Sequence, residues 1–345
     1  MSTARGRRRS TIHDVARHAG VSITTVSHSL NGKGVVAKAT RQRVIEVAAE
    51  LGYSADAIAR GLRSNRLGLL GLVIRPLDTL GSYQPEGVDY FLRFAGAAAV
   101  EALDCGYGLV LMRDPTAGNA PGIALAADGF IISDPLAGDP VIDLLTRNAI
   151  PLVAVGRDVE RPDFTAWLGG GTLRNVDSVI AHLHERGAKR IALVTGTDAN
   201  SWNADSENSY REWAAENNQS PIVYNQDERL GEEGGREIAD QLLASNVPLP
   251  DAIYCLTGRH AAGIQAGLQA AGYRIPDDVM IVAGSDSEQT RNSTPPITSV
   301  DLAPEATAKA AVAYLVALLE ADEDDQPAPP EIEYDIRDRA STRRG

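Results

Sequence analysis

The sequence predicts two modules: a small N-terminal all-α helix-turn-helix domain, and a larger α/β body of two lobes with doubly wound parallel sheets. Three observations support this prediction. The chain has 345 residues, more than a single hydrophobic core usually organises. Apolar residues follow helical spacing as far as Leu51, whereas short, fully apolar runs recur from Leu67 onwards. The sign of the formal charge also changes between the two parts.

The charge is strongly partitioned along the chain. Residues 1–66 contain twelve Lys and Arg against four Asp and Glu, while residues 67–345 contain 21 basic and 42 acidic residues. The N-terminal part is therefore basic although the overall formal charge of the chain is −13. A basic module joined to an acidic body is typical of a protein whose N-terminal part binds a polyanion.

Three short helices are predicted in the basic module. In TIHDVARHAG, Thr11 is placed to cap a helix that ends at Gly20. Ser22 can cap a second helix in VSITTVSHSLNG, which the final Asn-Gly pair ends. A third helix is predicted over 38–51, so the order is helix, tight turn, helix and bracing helix. The predicted inward-facing residues are Ile12, Val15, Ala16, Ala19, Val26, Leu30, Val44, Val47, Ala48 and Leu51.

Seven apolar runs predict the buried strands of the body. They recur at intervals of about 20 to 50 residues and alternate with helical stretches such as Phe94–Leu103 and Val176–Glu185. Seven strands indicate two sheets and hence two lobes, while the acidic segment 320–331 is expected to be a solvated connector. The runs are LGLLGLVI, YGLVLM, GFIIS, IPLVAVG, RIALVTG, AIYCL and VMIVAG.

Other classes of protein receive little support. Cys105 and Cys255 lack metal-binding spacing, so we expect neither a metal site nor a cofactor. No apolar run is long enough to span a bilayer and MSTARGRRRS lacks a signal-peptide core, so we expect a cytoplasmic protein without a membrane partner. The glycines at 169–171 match no phosphate-binding pattern, and no GxSxG or HExxH motif occurs. An enzyme is therefore the weaker alternative.

TIHDVARHAGVSITTVSHSLNG resembles the DNA-binding part of the lactose-repressor-like (LacI/GalR) family of bacterial transcription regulators. HLHERGAKRIALVTG and GYRIPDDVMIVAGSD are similar to segments of that family's body. The resemblance implies a helix-turn-helix domain in residues 1–55, a hinge helix in 56–66 and a periplasmic-binding-protein-like body. It implies an N-terminal lobe of residues 67–168 and 298–324, and a C-terminal lobe of residues 169–297 and 325–345.

The second helix of a helix-turn-helix enters the major groove of DNA. The resemblance places the base-reading positions on Ile23, Thr24 and His28, whereas Ser22, Thr25 and Ser27 suit phosphate oxygens. Thr24 offers a hydroxyl and a methyl group, and His28 can donate to purine N7 or O6. A merely solvated helix face is the alternative, which the basic charge of the module disfavours. The predicted DNA contacts are Ser22, Ile23, Thr24, Thr25, Ser27, His28, Asn31, Ala59, Leu62 and Arg63.

The family pattern implies that the hinge segment folds on the operator. Paired hinge helices would enter the minor groove, and Leu62 would wedge between the central bases, flanked by Ala59 and Arg63. A pyrimidine–purine step at the centre of the operator deforms most easily. Two hinge helices require two chains, so we expect a homodimer, or a higher oligomer, on a palindromic double-stranded operator.

A small-molecule effector, either a sugar, a nucleoside or another metabolite, is implied between the two lobes. Open α/β sheets bind ligands at the carboxyl ends of their strands. Asp286 matches the family's effector-binding Asp, but SENSY, Thr257-Gly258 and WLGGGTLRN replace most of its sugar-binding Arg, Asn and Asp residues. A constitutive regulator without effector response therefore stays open. The candidate effector-binding residues are Arg75, Tyr90, Phe91, Trp202, Arg259 and Asp286.

Overall fold

A computed structural model describes most of the chain as two compact units, Met1–Gly68 and Leu69–Gly345. The described residues are 10–30, 34–53, 66–75, 89–117, 125–169, 172–245, 247–321 and 327–343. Four predicted DNA contacts lie outside them, together with most of the hinge segment and part of the acidic connector. These four contacts are Asn31, Ala59, Leu62 and Arg63.

The N-terminal unit contains the three predicted helices, α1 (Ile12–Ala19), α2 (Ile23–Leu30) and α3 (Lys38–Glu50). Thr11 forms a capping box with Asp14 at the start of α1, and Gly20 ends the helix in the left-handed conformation. Ser22 caps α2, because its Oγ accepts a hydrogen bond from the Thr25 amide at 3.1 Å. The predicted inward-facing residues form one small core, so this part of the prediction is confirmed.

The first sheet of the body is parallel and has the strand order β2-β1-β3-β4-β5. Apolar clusters cover both of its faces, as a doubly wound sheet requires. Its strands are β1 (Leu69–Ile74), β2 (Gly108–Met112), β3 (Gly129–Ser133), β4 (Leu152–Val155) and β5 (Trp167–Leu168). The helices within this stretch are α4 (Asp89–Asp104) and α5 (Pro140–Arg147).

The second sheet has the order β11-β10-β9-β8-β6-β7, and only β11 runs antiparallel within it. Its strands are β6 (Ile191–Thr195), β7 (Ile222–Asn225), β8 (Ala252–Cys255), β9 (Met280–Ala283), β10 (Thr298–Asp301) and β11 (Asp335–Arg337). The α-helices in this part of the chain are α6 (Thr172–Glu185), α7 (Ser201–Glu216), α8 (Gly231–Ala244), α9 (Gly258–Ala270), α10 (Glu288–Asn292) and α11 (Pro304–Glu320). Two 3₁₀ turns, Glu228–Leu230 and Ala340–Thr342, complete the described elements.

All seven apolar runs that were predicted to be strands are strands, and two α/β sheets are present as expected. The predicted lobe boundary at residue 298 is wrong, since β10 belongs to the second sheet rather than to the N-terminal lobe. Thr298 and Ser299 align with Val282 and Ala283 of β9. Helix α11, which follows, packs with the first sheet. The chain therefore returns to the first sheet after Asp301.

Four strands were not predicted, namely β5, β7, β10 and β11. They are short or polar: β5 has two residues, and β10 reads TSVD. Their pairing depends on neighbouring strands, so no apolar run marks them in the sequence. Within the described residues, no helix is long and apolar enough to cross a membrane.

Candidate recognition helix and effector cleft

Helix α2 buries one polar residue, Ser29, and exposes others to solvent. Val26 is fully buried, whereas Ile23, Thr24 and His28 are exposed. Ile23 is 42% exposed although it is large and apolar, which is unusual in such a small unit. The three residues expected to read bases thus share one accessible surface.

The two hydroxyls at the start of α2 have a structural role. The Oγ of Ser22 and the Oγ1 of Thr25 lie 2.8 Å apart, in addition to the amide contact that caps the helix. The ring of His28 lies close to Gly34. A Cβ at Gly34 would lie 2.6 Å from Nδ1 of this ring. Gly34 also has a φ of +71°, so two constraints favour glycine there.

A cleft in the body lies where strands of both sheets end. It encloses about 1260 Å³, part of which is open to solvent, so it can admit a small molecule. Loops after β3, β4, β5, β6, β8 and β9 contribute to its wall. The prediction of a ligand site at the carboxyl ends of the strands therefore agrees with the position of this cleft.

Five of the six candidate effector-binding residues line the cleft: Tyr90, Phe91, Trp202, Arg259 and Asp286. Tyr334 contributes another ring, which comes from the segment just before β11. Tyr90 packs edge-on against Phe91 with ring centroids 5.1 Å apart. One part of the wall is therefore aromatic and suited to stacking against a ring or to holding a cation.

Arg75 does not belong to the cleft wall, so the structure does not support its predicted role. Its side chain is buried and its Nε donates to Asp139 at 2.8 Å. A second ion pair joins it to Asp114. Despite burial, these two carboxylates raise the pKa of Arg75. Arg75 is thus a structural cation that ties the end of β1 to two loops.

Asp286 lines the cleft, but the protein itself already satisfies its carboxylate. It accepts hydrogen bonds from Ser299 Oγ at 2.7 Å and Thr290 Oγ1 at 3.0 Å. It also forms ion pairs with Arg291 and Arg339, both at 2.8 Å. Burial opposes ionisation, but the bonds from Arg339, Ser299 and Arg291 outweigh it and lower the pKa of Asp286 to about 2.

Arg291 also connects Asp286 to the helix that follows the first strand. Its Nη2 donates to Asp89 at the start of α4 at 2.9 Å, while Nη1 holds Asp286. Two further contacts join segments that follow strands of the two different sheets. The Ala137 amide donates to the carbonyl of Ala199 at 2.7 Å, and Arg157 pairs with Asp205.

Asp134 and Asp198 also line the cleft; both lie at strand ends where a ligand was expected, but the candidate effector-binding residues did not include them. Both had a signal, since each follows an apolar strand directly or within three residues. Burial, followed by the charge of Asp198, raises the pKa of Asp134 to about 6. Burial, Glu228 and Asp227 raise the pKa of Asp198 to about 6. Perturbed carboxyl groups in a cleft are typical of functional sites.

Arg259 is the basic residue of the cleft wall, and it forms no hydrogen bond or ion pair with any described residue. Its guanidinium lies against Gly231, where a Cβ would come within 2.2 Å of Nη2. The neighbouring His260 is fully buried, with its Nε2 3.1 Å from the carbonyl oxygen of Asp227. Burial lowers the pKa of His260, so it is not a cleft cation.

The chain matches two family models. Residues 11–56 match the model described as "Bacterial regulatory proteins, lacI family", and residues 180–342 match "Periplasmic binding protein-like domain". These regions contain the helix-turn-helix and the second sheet. In the described part of the chain, no three His, Cys, Asp or Glu side chains cluster to hold a metal ion.

Two curated relatives and one solved structure illustrate the similarity. Catabolite control protein A of Staphylococcus epidermidis (strain ATCC 12228 / FDA PCI 1200) is 26% identical over 301 residues, which cover 84% of this chain and 86% of that protein. HTH-type transcriptional repressor PurR of Haemophilus influenzae (strain PittEE) is 28% identical over 305 residues, which cover 84% and 85%.

The structure of the lac repressor dimer bound to operator and the anti-inducer ONPF has a TM-score of 0.79 and 21% identity. The match covers 97% of this chain and 99% of that one, so the whole fold is shared. Together with the two family models, this similarity shows that the chain belongs to the lacI family of bacterial regulatory proteins and is a helix-turn-helix transcriptional regulator.

Proposed function

We propose that this regulator is a repressor that binds a palindromic operator as a dimer, and that a small molecule in the cleft changes its affinity for DNA. The observation that supports the proposal most strongly is the accessible surface of Ile23, Thr24 and His28 on the second helix of a helix-turn-helix. A curated relative named PurR is a transcriptional repressor, and the solved lac repressor is a dimer on its operator.

The chemistry of α2 is suited to reading bases in the major groove. Thr24 can contact a thymine methyl group or donate a hydrogen bond, and His28 can donate to a purine. Because the Ser22 and Thr25 hydroxyls bond to each other and cap the helix, their contacts to phosphate would accompany this structural role. The proposal also includes Ser27, Asn31 and the hinge residues Ala59, Leu62 and Arg63, on the basis of the family resemblance.

The cleft supplies a physical route for effector control. Asp89, Asp205 and Ala137 take part in contacts between segments of the two sheets, so a ligand that prefers one arrangement of the lobes would shift the relative populations of their arrangements. Such a shift changes DNA affinity by the same coupling free energy with which DNA changes ligand affinity. We further propose that the protein acts in the cytoplasm, where its DNA lies, and that it has no catalytic role.

Selection of bound sequences from random DNA by the purified full-length protein tests the DNA-binding part of this proposal. We expect a palindromic site, and we expect Thr24→Ala and His28→Ala each to weaken operator binding about 5- to 150-fold, the cost of one lost base contact. Binding to unrelated DNA should change little. Glu50→Gln, an exposed change at the end of α3, is the control.

Unchanged operator affinity in both α2 variants would contradict the assignment of this helix as the base reader. The same titration with Leu62→Ala tests the hinge, since loss of the wedge should reduce operator affinity and the bend of the DNA. A regulator without effector control is the second candidate function, favoured by the replaced sugar-binding residues. It would be supported if no compound that stabilises the protein alters operator affinity.

A further inference from the structure

The charges that line the cleft are unbalanced. Among the described residues, its wall includes five acidic residues and one basic residue, Arg259. The acidic residues are Asp89, Asp134, Asp198, Glu228 and Asp286. A buried carboxylate without a cation is costly, so the partners of each one indicate what the cleft lacks.

Three of the five acidic groups already have partners within the protein. Arg291 holds both Asp89 and Asp286, and Arg339 adds a second cation to Asp286. Glu228 accepts hydrogen bonds from the amides of Thr197 and Asp198 at 3.0 and 3.2 Å. These carboxylates shape the wall, and a ligand would have to compete with the protein for them.

Asp134 and Asp198 differ from the other three. The carboxylate of Asp134 accepts one hydrogen bond, from Ser133 Oγ at 3.3 Å, and that of Asp198 accepts none from any described residue. No Lys or Arg of the described chain forms an ion pair with either. Both side chains line the same cleft, and the charge of Asp198 contributes to the raised pKa of Asp134.

Two tyrosines of the cleft wall, Tyr90 and Tyr334, interact with Asp134. Burial and then the charge of Asp134 raise the pKa of Tyr90, and the same two causes raise that of Tyr334 to about 12. Both phenols are therefore near Asp134 and stay neutral. Trp202 lines the same cleft. Two anions next to aromatic rings form a suitable environment for an organic cation.

The backbone at Asp134 supports a functional role for this residue. Its φ is +52°, in the left-handed region, which residues other than glycine seldom adopt. Its amide is fixed by the carbonyl of Val155 at 2.9 Å, so the neighbouring strand holds it in this conformation. Strain of this kind persists where the surrounding structure imposes it, and it is common at ligand sites.

We propose that the effector of this cleft is an organic cation, a ring compound whose protonated nitrogen binds between Asp134 and Asp198 while its ring packs on the aromatic wall. This inference rests on the proposed function and specifies the chemical class of its ligand. A neutral polyol would leave both carboxylates without a counter-charge, whereas one ammonium group would neutralise and hydrogen-bond with them.

Isothermal titration of the full-length protein at pH 7.5 with matched pairs of amine and neutral compound tests this assignment. The pairs are glucosamine and glucose, galactosamine and galactose, and benzylamine and benzyl alcohol. We expect at least one amine to bind, at least tenfold more tightly than its neutral partner. Asp134→Asn and Asp198→Asn should each weaken the binding of that amine at least tenfold. Asp143→Asn, which removes an acidic group away from the cleft, should leave its binding unchanged.

Three results would overturn the assignment: no amine binds, a neutral compound binds as tightly as its amine partner in every pair, or both Asn variants retain full affinity. Circular dichroism and operator binding of each variant exclude loss of folding as the cause. A neutral sugar that binds and changes operator affinity, when no amine binds more tightly, would support the proposed function and contradict only the assignment of a cationic ligand. Operator binding that no compound alters would instead count against effector control itself.

Discussion

Two pairs of carboxylates lie on the same cleft and have opposite environments. Asp286 and Asp89 share Arg291, and Asp286 has a pKa of about 2. Asp134 and Asp198 form no ion pair with a basic residue of the described chain, and the pKa of each is raised to about 6, although the charge of Arg229 partly opposes the rise at Asp198. All four groups are lined up at strand or helix ends, so secondary structure does not distinguish them. What distinguishes them is the pair of arginines around Asp286. Asp286 is therefore a structural carboxylate, whereas Asp134 and Asp198 are available to a ligand.

The largest effect is expected when the satisfied carboxylate is removed. Asp286→Asn should lower the free energy of unfolding at pH 7 by about 2 to 3 kcal/mol, because Arg339 and Arg291 would keep their charge at a partly buried site without a full counter-charge. The folded-state pKa lies below the unfolded value, so this stabilisation is present above about pH 4 and is lost as the pH falls towards 2.

Urea unfolding of both proteins at pH 7 measures this difference. Asp277→Asn is the matched control, since its ion pair with Arg274 is exposed and should contribute less than about 0.5 kcal/mol. Equal unfolding midpoints for wild type and Asp286→Asn would show that the network around Arg291 does not stabilise the fold, and the contrast between the two carboxylate pairs would lose its basis.

Local patterns in the sequence predicted the parts of the molecule that local physics determines. Thr11, Ser22 and Gly20 mark helix ends through contacts within three or four residues, and the seven apolar runs are strands, of which six are largely buried and the edge strand β2 is partly exposed. Aromatic residues near strand ends were also placed on the cleft, because parallel strands bring their carboxyl ends to one edge.

Contacts between distant residues limited the prediction of the site. Arg75 follows a strand as a ligand-binding residue would, but its partner Asp139 lies 64 residues away and removes it from the cleft. Tyr334 reaches the wall only because β11 pairs with β10. The same limit applies to Asp134 and Asp198, since burial and neighbouring carboxylates, which only the three-dimensional fold brings together, raise the pKa of both groups.

A stabilising effect of intermediate size is expected from Asp134→Asn. The folded-state pKa of about 6 exceeds the unfolded value, so the folded protein binds the extra proton, and its stability falls as the pH rises from about 4 to 6. Above that window the ionised group destabilises the fold. The Asn variant should therefore gain about 1 to 2 kcal/mol at pH 7.5, with a progressively smaller gain as the pH falls towards 4.

Urea unfolding of wild type and Asp134→Asn at pH 7.5, 5.5 and 4.5 tests the sign of this effect. Asp277→Asn again serves as the control, and it should show no gain at any of the three values. A loss of stability in Asp134→Asn at pH 7.5 would mean that its carboxylate has a stabilising partner. Asp134 would then resemble Asp286 rather than contrast with it.

The smallest effect is the coupling between the two unpaired carboxylates. Two neighbouring carboxylates disfavour each other's ionisation. Removing Asp198 should therefore reduce the loss of stability caused by ionised Asp134, and removing Asp134 should reduce that caused by ionised Asp198. The double variant Asp134→Asn/Asp198→Asn should therefore gain about 0.5 kcal/mol less at pH 7.5 than the sum of the single variants, measured by urea unfolding as a double-mutant cycle. The pair Asp134→Asn and Asp277→Asn should be additive. Full additivity for Asp134 and Asp198 would mean that the two charges do not interact. Two carboxylates whose charges do not interact are too far apart to bind one protonated nitrogen together.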